Sequence, residues 1–206
     1  MKDSKTDIEA VIFDLGRVLV DIDTSRGIFR FFSELLAGDD GLLMHKLMHH
    51  KVIREYNTGR LTPNEFYKKV RGEFSLDLDF ETFSGLWCDI FLPMPGMEGL
   101  VYDLKNKTAL GLLSDTDPLH WNHLRSTYPH VAAIDKPTLS YEIGFGKPEK
   151  QCYLAAAANV GKPPEKCLFI DDLPANVEGA IATGMKSVQF QSAEQIRCVL
   201  EDYRIL

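Results

Sequence analysis

From about residue 97 onward, short apolar runs alternate with stretches of helical period. TALGLLS (108–114), VAAID (131–135), KCLFIDD (166–172) and MKSVQF (185–190) read as strands. DPLHWNHLRSTY (117–128), KPEKQCYLAAAANVG (147–161), PANVEGAIATG (174–184) and SAEQIRCVLEDY (192–203) read as helices. The punctuation agrees: Asp117 is a cap, Pro118 and Pro148 suit first turns, and Gly161 and Gly184 follow helix ends. Strands alternating with helices of this length predict parallel pairing through right-handed crossovers, with residues 10–14 as a further strand. Residues 23–95 break the rule. DTSRGIFRFFSELLAG (23–38), DGLLMHKLMHHKVIREYNTG (40–59), TPNEFYKKVRG (62–72) and DFETFSGLWCDIF (79–91) are all helical in pattern. Thr62, Pro63 and Glu65 spell a capping box, and LPMPGM (92–97) is a Pro/Gly hinge leading back to the sheet. Phe29, Phe31, Phe32, Leu35 and Leu36 fit the core of this helical bundle. The expected architecture is α/β: a Rossmann-like parallel sheet with helices on both faces (residues 1–22 and 96–206), and a small helical cap domain inserted at 23–95.

Composition narrows the class. The chain has 206 residues, 45% hydrophobic and 26% charged, with a net charge of −7. The acidic balance, and near-equal Lys/Arg and Asp/Glu in the insert, argue against a nucleic-acid clamp or an acidic membrane surface as partner. No apolar run approaches the ~20 residues of a membrane helix. The opening MKDSKTDIEA lacks the apolar region of a signal peptide, and the four cysteines form no CxxC pair. A reduced, cytoplasmic protein is the expectation.

In open parallel sheets, ligands sit beyond the carboxyl ends of the strands. Here three strand ends turn polar where the apolar run stops: VIF-Asp14, GLL-Ser114-Asp115-Thr116 and LFI-Asp171-Asp172. Any one of them is an ordinary solvated turn. Together, Asp14, Asp171 and Asp172 would repel one another unless a cation sat between them, and a hard, oxygen-seeking ion such as Mg²⁺ fits. Lys147, in GFGKPEK, supplies a positive side chain. Three carboxylates offset by Lys147 and one dication leave a neutral site, ready for a phosphate held also by the Ser114 hydroxyl and backbone N–H groups.

FDLGRV (13–18), LLSDT (112–116), Lys147 in GKPEK and FIDDLPANVEGA (169–180) resemble, in order, the four motifs of the haloacid dehalogenase superfamily. VDID (20–23) and LSDTDPLHW (113–121) further resemble its bacterial α-D-glucose-1-phosphate phosphatase branch. The resemblance implies a Mg²⁺-dependent phosphatase acting on a small-molecule phosphate ester, such as a sugar phosphate. It makes Asp14 the nucleophile, with an aspartyl-phosphate intermediate. It assigns the metal to the Asp14 side chain, the Gly16 carbonyl and Asp172, with Asp171 close by and Asn176 supporting Asp172 or a metal-bound water. It gives the phosphoryl group to Ser114, the Asp115 N–H and Lys147.

Gly16 departs from the pattern, since most phosphatases of the family carry there the aspartate that protonates the leaving oxygen. General acid–base catalysis is typically worth ~10²–10⁴-fold. The expectation is therefore a slow phosphatase or one selective for good leaving groups. The alternatives are a non-catalytic phosphate- and metal-binding regulatory protein and, lower in rank, a 2-haloacid dehalogenase, which needs no proton donor but leaves the Asp171–Asp172 pair unexplained. Arg17 reads equally as a substrate contact or a solvent-facing side chain. His120 reads as a packed helix histidine before a replacement acid. Asp21 and Asp23 fit the loop entering the insert. His45, His49 and His50, with Lys46, Lys51 and Arg54, read as a solvated basic face.

Overall fold

The computed structural model describes residues 8–36 and 50–206. A five-stranded sheet has the order β5-β4-β1-β6-β7, with every pairing parallel. Its strands are β1 (Ala10–Phe13), β4 (Ala109–Ser114), β5 (Lys136–Leu139), β6 (Cys167–Asp171) and β7 (Lys186–Gln189). The central strand is apolar on both sides because it is covered on both sides. Val11 and Phe13 join the cluster formed by helices α5 (Met97–Leu104), α6 (Pro118–Thr127), α7 (Pro129–Ala132) and α11 (Ala193–Asp202). Ala10 and Ile12 face the opposite cluster, built on α9 (Lys150–Val160) and α10 (Pro174–Ile181). β6 repeats the alternation, with Leu168 and Ile170 on the first face and Cys167 and Phe169 on the second.

After β1 the chain turns through Leu15–Arg17, where the N–H groups of Leu19 and Val20 both donate to the Leu15 carbonyl. It leaves the sheet along β2 (Val20–Ile22) and returns along β3 (Phe91–Pro93), which pairs antiparallel with β2. Between them lie α1 (Gly27–Leu36), α2 (Lys51–Asn57), α3 (Pro63–Glu73) and α4 (Phe80–Cys88). These helices share a hydrophobic cluster that includes Ile28, Phe29, Phe32, Ile53, Phe66 and Phe83, with Phe31 packed against it. Tyr56 stacks on Phe66 at 4.1 Å, and Trp87 meets the Phe66 ring edge-on at 4.9 Å. The capping box of α3 forms as expected, Thr62 and Glu65 satisfying each other's N–H groups. The Leu35 and Leu36 side chains, with His45, Lys46 and His49, lie outside the described residues.

Three expectations are corrected. The strand expected at 131–135 is instead the short helix α7, started by Pro129 after an extended Tyr128, and the strand lies at Lys136–Leu139. It was hard to read because it is a sheet edge, where Lys136 and Pro137 are tolerated and only Thr138 and Leu139 are buried. The helix expected at 147–161 begins at Lys150, so Lys147 sits in the preceding loop, joined to Pro148 by a cis peptide bond. A residue before proline is disfavoured in helical conformation, which explains the late start. The Pro/Gly hinge carries the β2–β3 ribbon, too short for periodicity to reveal. None of the described helices is long and apolar enough to cross a membrane.

Candidate functional site

Strands β4, β1 and β6 are neighbours, so their carboxyl ends deliver Ser114, Asp14 and Asp171–Asp172 to one stretch of sheet edge. Asp14, Asp171 and Asp172 each offer an oxygen, and the three oxygens lie within 4.8 Å of one another. Lys147 reaches in from its loop. Its side chain is 3% exposed, and the ammonium is 2.7 Å from Asp14 Oδ1 and 2.6 Å from Asp171 Oδ2. The loop is tied down by Asp115, whose carboxylate accepts the Lys147 backbone N–H at 3.0 and 3.1 Å.

The two carboxylates of β6 differ. Asp171 is fully buried and accepts from the Leu173 N–H, from Asn176 Nδ2 at both oxygens and from Lys147. Its lone pairs are committed. Asn176 therefore braces Asp171, a correction to its expected role beside Asp172. Asp172 is half-buried and lines the cavity. Burial pushes Asp14 up to about 7, with Asp171's charge adding to the rise and Lys147 opposing it. Burial and the charge of Asp171 raise Asp172 also. Lys147 moves above its ordinary value, because Asp14, Asp171 and Asp115 outweigh the burial that would lower it. Three carboxylates against one ammonium leave a deficit of two positive charges, and the oxygen donors are of the type that a hard dication takes. The residues present fit Mg²⁺.

A cavity of about 390 Å³ opens from this cluster toward the inserted helices. Ser114, buried at the end of β4, lines it, as do Gly16, Asp115 and Lys147. Arg17 is exposed, holds a left-handed backbone (φ 59°) and also borders the cavity. At Gly16, an added Cβ would stand 2.8 Å from Ile22 Cδ1, so the β2 isoleucine fills the space beside that position. Asp23 lies outside the cavity lining and accepts from the Ser25 N–H and hydroxyl.

His120 is a packed residue with both ring nitrogens committed. Nδ1 is 2.9 Å from Asp117 Oδ2, and Nε2 is 2.8 Å from the Trp87 carbonyl. Each ring nitrogen thus faces an oxygen, the carboxylate on one side and the carbonyl on the other. It stacks on the Trp87 indole at 5.0 Å. Asp117 was read as a helix cap, and it is one, taking the Leu119 and His120 N–H groups. It also accepts from Trp87 Nε1, so it clasps the inserted helices to the sheet domain. Burial alone would raise Asp117. The charge and hydrogen bonds of His120 and the Trp87 N–H prevail and hold it below its ordinary value. Trp87 and Asn57 are cavity residues that the sequence did not single out. Both sit in stretches, 40–59 and 79–91, that the sequence marks only as helical.

Comparison with known proteins places this geometry in context. The haloacid dehalogenase-like hydrolase family matches residues 8–184. The D-ribitol-5-phosphate phosphatase of Bacteroides thetaiotaomicron is 26% identical over 191 residues, covering 88% of this chain and 91% of its own. A HAD family enzyme of the same organism, solved with magnesium and inorganic phosphate, superposes with a TM-score of 0.78 at 24% identity, over 90% of this chain and 95% of its own. A HAD-like hydrolase of Porphyromonas gingivalis gives a TM-score of 0.81 at 24% identity, over 96% and 98% of the two chains.

Proposed function

Because the chain belongs to the haloacid dehalogenase-like hydrolases, we propose that Asp14 is the nucleophile of a Mg²⁺-dependent phosphatase acting on small phosphorylated metabolites. The observation that carries this reading is the Lys147 ammonium lying between Asp14 and Asp171, with Asp172 alongside, at the floor of a cavity roofed by the inserted helices.

An Asp14 oxygen attacks phosphorus, a P–O bond to Asp14 forms, and the ester P–O bond breaks with its electron pair going to the leaving oxygen. Water then attacks phosphorus and returns the Asp14 carboxylate. Attack requires the Asp14 anion, which burial disfavours and Lys147 favours. Mg²⁺, held by Asp14, Asp172 and the Gly16 carbonyl, would supply charge neutralisation for carboxylate and phosphate alike. Asp171 takes no metal in this reading, since its oxygens are occupied in holding Lys147 and Asn176. Ser114 and the Asp115 N–H hold the transferring phosphoryl group, the Asp115 side chain fixes Lys147, and residues 23–95 act as the cap. Gly16 provides no proton donor, so the leaving oxygen takes its proton from water or leaves as a stable anion. The rate on simple alkyl phosphates is lower by ~10²–10⁴-fold for that reason.

The test is a phosphate-ester panel with Mg²⁺ and with chelator, on the wild type and Asp14→Asn. Turnover that needs Mg²⁺ and vanishes in the variant supports the assignment. An Asp14→Asn enzyme as fast as the wild type refutes it. The space filled by Ile22 beside Gly16 favours a second reading, a binding protein that retains the phosphate cradle. That reading is selected if Mg²⁺ and phosphate raise the melting temperature and no ester turns over.

A further inference from the structure

The phosphate end of the cavity is charged, and the opposite wall is hydrocarbon. Ile28 and Phe29 from α1, Ile53 from α2, Trp87 from α4, and Ile90 and Phe91 at the return to the sheet form it. The polar atoms nearby are already engaged. The Trp87 indole N–H is given to Asp117, both His120 ring nitrogens already lie against Asp117 and the Trp87 carbonyl, and Asp117 is saturated by its partners. Thr24 borders the cavity only as an exposed residue. One group on this side stands apart. Asn57, the last residue of α2, lines the cavity, and its Oδ1 is enclosed without a hydrogen-bond partner among the described residues. An enclosed amide acceptor left unpaired is costly, and a donor on a ligand removes that cost.

We propose that the leaving group is a neutral, mainly hydrocarbon alcohol carrying one further hydroxyl, which donates to Asn57 Oδ1, and not a polyol. The cavity of about 390 Å³ lies toward the small end of the range for small-molecule sites, which suits a small phosphate ester. A substrate of that size presses its body against the isoleucines and aromatics. One hydroxyl finds Asn57, and each additional one turned to this wall lies against carbon. The inference rests on the phosphatase reading for the position of the phosphoryl group and adds the nature of what departs.

The experiment compares 4-hydroxy-3-methylbutyl phosphate, 3-methylbutyl phosphate and D-ribitol 5-phosphate in Mg²⁺, with 4-nitrophenyl phosphate as a general reporter of phosphatase activity. The expected order of kcat/KM is hydroxylated branched ester, plain branched ester, ribitol phosphate. Asn57→Leu, and Asn57→Ala should the leucine fail to fold, is expected to erase the advantage of the hydroxylated over the plain ester, a loss of about tenfold. The same order is expected in the melting-temperature shifts that the three esters give with Asp14→Asn, which reads binding without turnover. Ribitol phosphate preferred in either assay, or an unchanged ratio in both Asn57 variants, overturns the proposal. Failure of every ester including 4-nitrophenyl phosphate refutes the phosphatase reading, and the melting shifts then decide the ligand class alone.

Discussion

Replacing Lys147 by methionine keeps the length and hydrocarbon of the side chain and removes one charge that is nearly sealed from water. The ammonium makes contacts of 2.7 Å to Asp14 and 2.6 Å to Asp171. At an effective dielectric constant of ~20, each contact corresponds to roughly 6 kcal/mol of attraction. Dehydrating the ammonium and both carboxylates offsets most of that sum. Loss of one partner from such a buried cluster typically costs ~3–5 kcal/mol, because the remaining charges are left facing each other. Urea unfolding at pH 7 in chelator is therefore expected to lose ~3–5 kcal/mol, a midpoint shift of roughly 2 M at an m-value of ~2 kcal/mol/M. The pH dependence has a fixed sign. Asp14 already titrates at about 7 in the folded protein, through burial and the charge of Asp171. Removing Lys147 raises Asp14 further, because the ammonium is what opposes the rise. A raised carboxyl loses stability between its unfolded value of ~3.9 and its folded one; wild type and variant share that loss up to about 7, so the deficit grows as pH climbs above about 7. Adding Asp171→Asn to Lys147→Met should recover part of the loss by removing the repelling neighbour. A deficit under ~1 kcal/mol at pH 7, or one that stays constant from pH ~6 to ~9, would refute the reasoning.

Asp117→Asn should cost ~2–4 kcal/mol at neutral pH, because the amide nitrogen meets the Trp87 and His120 donors that the carboxylate accepts. Asp117 is depressed in the folded state, so its contribution is present above the unfolded value and is lost as pH falls through the folded one. Urea unfolding as a function of pH should thus show wild type and variant converging below pH ~4. Gly16→Asp alone must displace Ile22 Cδ1, so the gain on alkyl phosphates is expected mainly in Gly16→Asp/Ile22→Ala, up to ~10²-fold in kcat. An unchanged kcat in the double variant would show that proton donation does not limit the rate.

Much of the sheet was legible because its central strands carry their burial in their own residues. AVIF and CLFID are apolar on both faces, and each run ends at the carboxylate that the fold uses. The edge strand KPTL was illegible for the converse reason, having one covered face and water on its rim. At the site, Asp14, Asp171 and Asp172 stand out as charges that close apolar runs, whereas Lys147, in the polar Gly-rich GFGKPEK, is marked only by the charge balance those carboxylates need. Asn57 and Trp87 do not stand out, since an amide at a helix end and an indole in a bundle are ordinary there. The second duty of Asp117 was hidden by its first, and the division of labour between Asp171 and Asp172 depends on donors from Leu173 and Asn176 that only the folded α10 turn supplies.

The narrow β2–β3 ribbon has a consequence for how such a protein can change. Ile22 stands opposite Phe91, and Val20 opposite Pro93, so the excursion of nearly seventy residues begins and finishes at paired neighbours. To the sheet, everything between those neighbours is a single surface loop, whatever its length or content. New selectivity can therefore be grafted, shortened or exchanged at that junction without disturbing the strand ends that perform the chemistry, provided the contacts of Trp87 with Asp117 and His120 are kept.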